Sequence, residues 1–198
     1  MEDLFPHQDN VDYSRVQMTP EGLYSVTRRR DGQRMTQILA REIPYTHTKT
    51  ITDATACVGS DTLRFSQMFK QVHSIELKHD NMVVLQNNIN AFGVTNVHVY
   101  EGDATKLFKW KTDVLYVDPP WGGPDYYTKL KLDIYMGRLR LDVWIESILR
   151  EKDRPTYIVL KLPRNYNFTR LHFLPNVVVS QFNRVRNFML VLLQTKIV

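Results

Sequence analysis

The stretch from Val117 to Tyr126, VDPPWGGPDY, contains the residue types that chemistry on a planar amino group requires. Its first two prolines fix the backbone and remove N–H donors, so the carbonyls of Asp118 and Pro119 are acceptors without a local competitor. A carboxylate and a fixed carbonyl can accept both amino hydrogens and aim the nitrogen lone pair at an electrophile. Trp121 offers a flat face for stacking a nucleobase. The loop predicts a site for a base amino group, and the alternative interpretation is a proline-rich turn with a core tryptophan.

Three further carboxylates, Asp53, Glu76 and Asp103, each come at or just after the end of a short apolar run. Ligands of a doubly wound sheet bind at the carboxyl ends of its strands. There Glu76 can accept both ribose hydroxyls of an adenosine cofactor, and Asp103 can accept from an adenine amino group. Each acid alone is explained better by a helix N-cap or a solvated strand end. Three in succession indicate an adenosine site.

A single glycine, Gly59, lies in the turn after the first of these runs. A glycine there lets the backbone approach a ligand, and the N–H groups of the following helix add donors. The dinucleotide fingerprint G-x-G-x-x-G requires three glycines. Because only one is present, the sequence argues against a nicotinamide enzyme.

From residue 50 onward, predicted strands alternate with predicted helices, and these elements must position the residues named above. Short β-branched runs alternate with helical patterns, which is typical of right-handed βαβ units and a mostly parallel sheet. The last two runs are separated only by NRVRN, which allows a hairpin and no helical crossover. The predicted strands are 50–54, 72–76, 97–101, 114–118, 156–162, 176–182 and 188–195, and the predicted helices are 61–69, 80–92 and one within 138–150.

The first 49 residues are more polar than the rest of the chain. A helix is predicted over 31–41, with Met35, Ile38 and Leu39 on one face. No repeat or Gly/Ser linker interrupts the chain. We therefore expect residues 1–30 to be a segment packed on a single domain formed by residues 31–198.

The composition sets limits on partners and location. The formal charge of +5 and the pI near 9.3 favour a polyanionic partner. A lone cysteine, Cys57, excludes an internal disulfide, and no Cys/His cluster has zinc spacing, so no metal is expected. The N-terminus lacks an apolar signal region, and no apolar run approaches the ~20 residues of a membrane span. We expect an intracellular monomer away from membranes, with nucleus and cytoplasm not distinguished.

Several motifs carry a resemblance to a known family. D/N/S-P-P-W/Y/F after a fourth strand resembles the amino-methylating branch of class I S-adenosylmethionine (SAM) methyltransferases. PPWGGPDY resembles the narrower group of trimethylguanosine synthases, which methylate the 2-amino group of the 7-methylguanosine cap. The segments EGLYSVT, LPRN and QFNRVRNFMLVLL are similar to other parts of that family, so the resemblance covers residue 20 to the end. It implies a Rossmann-like methyltransferase domain with a seven-stranded, mostly parallel sheet and a C-terminal antiparallel hairpin.

The resemblance also implies a cofactor and the residues that hold it. The cofactor is SAM, and Asp53 and Glu76 would hold its amino-acid part and its ribose. Asp103 would meet the adenine edge, and Gly59 would lie in the cofactor loop. Thr27 would lie against the cofactor. Asp118 would stand beside the cofactor as well as facing the base.

The implied substrate is 7-methylguanosine-capped RNA. Asp118 and Pro119 would face the 2-amino group, and Trp121 would stack on the cationic cap base. This cation–π contact contributes about 0.5–2 kcal/mol beyond area burial. Tyr126 and Arg164 would contact the cap phosphates, with Asn165 beside them in the substrate site.

Two departures from the family pattern keep other functions open. Asp118 stands where relatives often have serine, which resembles adenine-methylating and ribosomal guanine-methylating enzymes. The cofactor loop TACVGSD contains fewer glycines than the family pattern near FCGVGGN. The alternatives are a methyltransferase of an adenine 6-amino or internal guanine 2-amino group in RNA or DNA, and a cap-binding module that has lost activity.

Overall fold

Strands and helices alternate along residues 1–196, the part of the chain that the computed structural model describes. The described residues form two units, of which the first is Met1–Leu107 and the second runs from Phe108 onward. No helix in the described range is long and apolar enough to cross a membrane.

The first unit contains three parallel strands and five helices. The middle strand pairs with both others, and the helical crossovers between successive strands keep them parallel. The strands are β1 (Thr50–Asp53), β2 (Gln71–Glu76) and β3 (Val97–Glu101). The helices are α1 (Pro20–Ser25), α2 (Arg29–Glu42), α3 (Ser60–Ser66), α4 (His79–Phe92) and α5 (Ala104–Leu107).

The N-terminal segment packs into the core of the first unit. Phe5 is fully buried in a cluster that includes Val58 and Leu63, and such burial stabilises the fold by about 1.5–3 kcal/mol. The buried Asn88 of α4 donates to the carbonyls of Gln17 and Val58 and accepts from the Gln17 N–H. These contacts join the segment to the loop after β1. The predicted boundary between residues 30 and 31 falls inside α2.

The second unit contains six strands and one longer helix. Their bounds are β4 (Val114–Val117), β5 (Tyr135–Met136), β6 (Leu139–Arg140), α6 (Leu141–Arg150), β7 (Tyr157–Pro163), β8 (Val177–Val185) and β9 (Phe188–Thr195). Four of the strands lie in the main sheet in the order β4-β7-β9-β8. β4 is parallel to β7, whereas β9 is antiparallel to both of its neighbours. The short strands β5 and β6 form a separate ribbon before α6.

The predicted fold class is confirmed. The main sheet has seven strands, of which three belong to the first unit and four to the second, and it is mostly parallel with an antiparallel hairpin near the C-terminus. The predicted limits of β3 and β9 match the structure. The alternation of apolar runs and helical patterns is therefore sufficient to predict the architecture.

Two predicted boundaries are wrong by three residues, and several others differ by one or two. The sequence predicts that NRVRN connects the last two strands, but β8 continues to Val185, which is buried and pairs with Phe188. The turn is therefore short, and Arg186 adopts a positive φ of 36° in it. The predicted helix over 61–69 ends at Ser66. The ribbon and the helices α1 and α5 are too short to show a periodic pattern.

Candidate functional site

A buried ion pair fixes the carboxylate that begins the proline loop. Lys161 Nζ lies 2.6 Å from Asp118 Oδ2, and the two side chains are 5% and 19% exposed. The strand register explains the contact, since Val117 of β4 pairs with Leu160 of β7. Asp118 and Lys161 are the next residues along these parallel strands. The pairing holds the carboxylate at the carboxyl end of β4.

Lys161 belongs to the candidate site but was not predicted from the sequence, although a lysine inside an apolar strand is a recognisable signal. It lies within β7, in which every residue is buried. A buried ammonium requires a compensating charge or hydrogen bonds, because desolvation of an unpaired charge costs several kcal/mol. A lysine in a central strand therefore predicts a carboxylate beside it, and Asp118 is that carboxylate.

The Trp121 ring is held between charged and aromatic neighbours. Lys161 Nζ lies 5.8 Å from the centroid of the Trp121 ring. The Tyr126 ring meets the Trp121 ring edge to face, with a centroid distance of 5.0 Å and an interplanar angle of 74°. The indole N–H is buried and has no hydrogen-bond partner within residues 1–196. These neighbours fix the orientation of the ring.

The two glycines after Trp121 lie in open space. Apart from its chain neighbours, a Cβ atom added at Gly122 or Gly123 would meet no heavy atom of the described residues within 4 Å. Pro119, by contrast, is buried directly after Asp118. The loop is thus anchored at its start and open at its tip, as binding of a flat ligand on Trp121 would require.

Asn165 ties the turn after β7 to the aromatic loop. Its Nδ2 donates to the carbonyls of Tyr126 at 2.8 Å and of Lys129 at 2.7 Å. The structure thus brings Trp121, Tyr126 and Asn165 together. Arg164, in the same turn, is exposed and has no ion pair with any described residue.

In the first unit, Asp53 is almost completely buried at the end of β1. Its exposed fraction is 1%. Oδ1 accepts from the Thr55 N–H at 3.1 Å, and Oδ2 accepts from the Thr62 hydroxyl at 2.7 Å. The carboxylate therefore orders the loop between β1 and α3.

Glu76 connects the ends of β1 and β2. Its Oε2 accepts from the Cys57 N–H and its Oε1 from the Lys78 N–H, both at 2.8 Å. Gly59, in the loop after β1, has φ +94° and is the N-cap of α3. A Cβ at Gly59 would lie 2.6 Å from Leu85 Cδ1. The glycine is therefore required by its backbone conformation and by the packing of Leu85.

Asp103 caps the short helix after β3. Its Oδ1 accepts from both the N–H and the hydroxyl of Thr105, and these bonds, led by the hydroxyl, hold the pKa of Asp103 below its ordinary value. The N-cap that the sequence allowed as an alternative is thus present. Thr27 is buried, and its hydroxyl donates to Asp61 Oδ2 at 2.7 Å.

Metal-ligand clusters are absent from the described part of the chain. Among residues 1–196, no group of three or more His, Cys, Asp or Glu side chains is placed to hold a metal ion.

Comparison with known proteins identifies the family. The profile of the RNA cap guanine-N2 methyltransferase family matches residues 48–196. The chain belongs to this family. A cap guanine-N2 methyltransferase profile thus covers both the acids of the first unit and the proline loop of the second, whereas Thr27 lies outside the match.

Two relatives are similar in sequence to this family member. An uncharacterized protein, L320, of Acanthamoeba polyphaga mimivirus is 35% identical over 60% of this chain and 47% of the relative. The trimethylguanosine synthase of Saccharomyces cerevisiae is 23% identical over 89% of this chain and 57% of the relative. The chain therefore spans about half the length of the curated relatives it matches.

A solved structure of another protein has the same fold as this family member. The Thermus thermophilus 16S rRNA N2 G1207 methyltransferase, crystallised with AdoMet and guanosine, is 13% identical with a TM-score of 0.64. The alignment covers 93% of this chain and 45% of that chain. The fold is that of class I SAM-dependent methyltransferases, and SAM is the cofactor of this fold class.

Proposed function

We propose that this protein is a SAM-dependent methyltransferase of the 2-amino group of the 7-methylguanosine cap of RNA. The observation that carries the proposal is the placement of Asp118 by Lys161 directly before a proline-fixed loop with a fixed tryptophan ring. Membership of the RNA cap guanine-N2 methyltransferase family supports the same substrate class.

Asp118 and the Pro119 carbonyl act on the amino group. The Asp118 carboxylate, which is ion-paired with Lys161, accepts hydrogen bonds and does not donate them. The Pro119 carbonyl is also an acceptor, and no local N–H competes for it because Pro120 has none. Together they accept the two amino hydrogens and hold the nitrogen lone pair out of the ring plane. The product ammonium is acidic and loses its proton to solvent, so no strong general base is required.

Trp121 binds the base by stacking. Gly122 and Gly123 present no side chain that would obstruct a purine, and stacking of one base contributes about 1–3 kcal/mol. A 7-methylguanine ring is positively charged, which adds a cation–π attraction. Tyr126 and Arg164 contact the cap phosphates, and Asn165 holds Tyr126 in place through its backbone carbonyl.

The acids of the first unit fit the cofactor chemically. SAM presents an ammonium group, two ribose hydroxyls and an adenine amino group, all of which are donors, and Asp53, Glu76 and Asp103 are acceptors at three strand ends. When bound, SAM supplies an electrophilic methyl group on a sulfonium. Asp53, whose two oxygens accept from Thr55 and Thr62, would shape the loop that receives the amino-acid part of SAM, and Glu76 and Asp103 would receive the ribose and the adenine edge.

Transfer of labelled methyl from SAM to 7-methylguanosine triphosphate tests the proposal, with GTP and an uncapped RNA run in parallel. Product from the methylated nucleotide and none from GTP is the expected result. Product from uncapped RNA alone would overturn the cap assignment.

A second candidate, methylation of an internal guanine 2-amino group, is favoured by the identity of residue 118. A carboxylate can accept from the guanine N1–H and the 2-amino group at once, and it does so whether or not the base carries a 7-methyl group. Product from the uncapped RNA in the same assay supports this second candidate.

A further inference from the structure

The net positive charge of the chain comes from its second half. Residues 108–198 contain 15 Lys and Arg residues and 8 Asp and Glu residues, whereas residues 1–107 contain 11 and 13. A polyanion is attracted by clustered Lys and Arg, so it should bind mainly on the second unit.

A basic pocket of about 210 Å³ lies in the second unit. Four of its lining side chains are cationic, and one acid, Asp153, also lines it. The cationic residues are Lys111, Lys152, Arg154 and Lys196. The three lysines are exposed, and their flexible side chains can adapt to the shape of a polyanion.

Arg154 is fixed in the pocket by backbone carbonyls. Its Nη1 donates to the Glu151 carbonyl at 3.1 Å, and its Nη2 donates to the Lys196 carbonyl at 3.0 Å. Both partners are neutral, so the guanidinium keeps its full charge. A guanidinium that is held in place before binding loses little side-chain entropy when an anion arrives.

The pocket lies at the opposite end of the strands from the proline loop. Lys111 precedes β4 and Arg154 precedes β7, whereas Asp118 and Arg164 follow these strands. The seven residues of β7 rise about 3.3 Å each, which separates the two ends by roughly 23 Å. A stacked strand with 3.4 Å per phosphate covers this distance in about seven nucleotides.

We propose that this pocket binds backbone phosphates of the RNA several nucleotides beyond the cap. The inference rests on the proposed function for the position of the cap, but binding of the phosphates does not itself depend on the base. The lysines and Arg154 neutralise phosphates, and the proline loop selects the base. The pocket then gives long capped RNA an affinity that the cap nucleotide alone does not have.

The test compares the unmodified protein with a triple variant, Lys111→Ala, Lys152→Ala and Lys196→Ala. Binding of a capped 3-mer, a capped 12-mer and an uncapped 12-mer is measured by fluorescence anisotropy at several salt concentrations. The control variant removes the same charge from exposed positions of the first unit, with Arg15→Ala, Arg34→Ala and Lys70→Ala. A third variant with arginine at the three lysine positions keeps the charge.

The triple alanine variant is expected to bind the capped 12-mer on the order of tenfold to a hundredfold more weakly. The slope of log Kd against log salt falls by about 0.7 for each phosphate that the variant no longer neutralises. Binding of the capped 3-mer is unchanged, and the arginine and control variants bind as the unmodified protein does. Equal weakening for the 3-mer and the 12-mer, or equal weakening in the control variant, overturns the proposal.

The uncapped 12-mer separates this inference from the proposed function. If the alanine substitutions weaken binding of the uncapped 12-mer while capped RNA binds no more tightly than uncapped RNA, the pocket binds RNA and the cap assignment is wrong. If the capped 3-mer binds and is methylated while the alanine substitutions leave 12-mer binding unchanged, the cap assignment stands and the pocket does not bind RNA.

Discussion

Lys161 and Asp118 form an ion pair with a 2.6 Å separation between Nζ and Oδ2, and the same ammonium lies 5.8 Å from the centroid of the Trp121 ring. One cation thus neighbours both the proposed acceptor of the amino group and the ring that is proposed to stack on the base. The two parts of base recognition are therefore coupled through a residue that contacts neither the cofactor nor the reacting nitrogen in the proposed mechanism.

Replacing Lys161 with methionine is expected to lower kcat by about a hundredfold, because an ångström-scale displacement of a positioning group can cost that much. The free energy of unfolding falls by about 2–4 kcal/mol, since the carboxylate loses the Lys161 ammonium but is still partly exposed. Lys161→Arg keeps the charge and restores part of kcat. Steady-state kinetics and urea unfolding of both variants measure the two effects separately.

A double-mutant cycle with Asp118→Asn identifies a positioning role. The double variant, Asp118→Asn with Lys161→Met, should recover stability relative to Lys161→Met, because the carboxylate charge is removed together with the ammonium. It should not recover kcat, because the amide donates as well as accepts. Recovery of both quantities together would show that Lys161 acts on folding alone.

Removal of the Trp121 ring is expected to weaken binding of 7-methylguanosine triphosphate roughly fivefold to 150-fold, which corresponds to the loss of about 1–3 kcal/mol of stacking. Trp121→Ala tests this, and Trp121→Phe, which keeps an aromatic face, should retain most of the affinity. Calorimetric titration with the nucleotide measures both. Affinities equal to that of the unmodified protein would exclude the ring from the base site.

Asp53→Asn is expected to abolish binding of S-adenosylhomocysteine and to leave binding of the cap nucleotide intact. The amide keeps the volume of the buried side chain, but it removes the charge and one of the acceptors used by Thr55 and Thr62. Calorimetry with each ligand is the measurement, and thermal unfolding checks the fold. Parallel loss of both ligands in a well-folded variant contradicts the assignment of Asp53 to the cofactor.

Gly59→Ala is expected to destabilise the protein by about 2–4 kcal/mol. The left-handed conformation costs a side chain about 1–2 kcal/mol, and the new Cβ would lie 2.6 Å from Leu85 Cδ1. Gly93→Ala is the matched control, because Gly93 also has a positive φ but, apart from its chain neighbours, no heavy atom of the described residues lies within 4 Å of its added Cβ. Urea unfolding should show a smaller loss of unfolding free energy for Gly93→Ala than for Gly59→Ala. Equal losses would show that contact with Leu85 does not contribute.

The Asp103–Thr105 bond predicts a pH dependence of stability. The pKa of Asp103 is lowered in the folded protein, chiefly by the Thr105 hydroxyl. The bond therefore stabilises the fold above the unfolded pKa of about 3.9, and the stabilisation is lost as the pH falls through the lower folded value. Thr105→Val should be about 1 kcal/mol less stable than the unmodified protein at pH 7, and the difference should shrink in acid.

Urea unfolding from pH 7 down to pH 3, together with an NMR titration of the Asp103 carboxyl, measures this effect. The control is Thr48→Val, which removes a hydroxyl that donates to the Tyr45 carbonyl. Its effect involves no titrating group and should be independent of pH. A pH-independent loss in Thr105→Val as well would contradict the assignment.

The sequence predicts the sheet well and the side-chain contacts poorly. Runs such as VHVYE and FMLVLLQT carry a local pattern, and both form strands at the predicted positions. The Lys161–Asp118 pair depends instead on the register of β4 against β7, which local spacing does not encode. Asp103 shows the same limit, since a strand-end acid followed by Thr105 fits a ligand site and a helix cap equally.

The position of β9 between β7 and β8 has a consequence for synthesis on the ribosome. The strands of the first unit pair among themselves as soon as Glu101 is made, whereas β8 pairs with nothing in its unit until β9 follows it along the chain. At 5–20 residues per second, roughly 2–6 s separate Pro163, the last residue of β7, from Thr195, the last residue of β9. During that time the edge of β7 lacks its neighbour, so a nascent chain stalled before Phe188 would be a chaperone client.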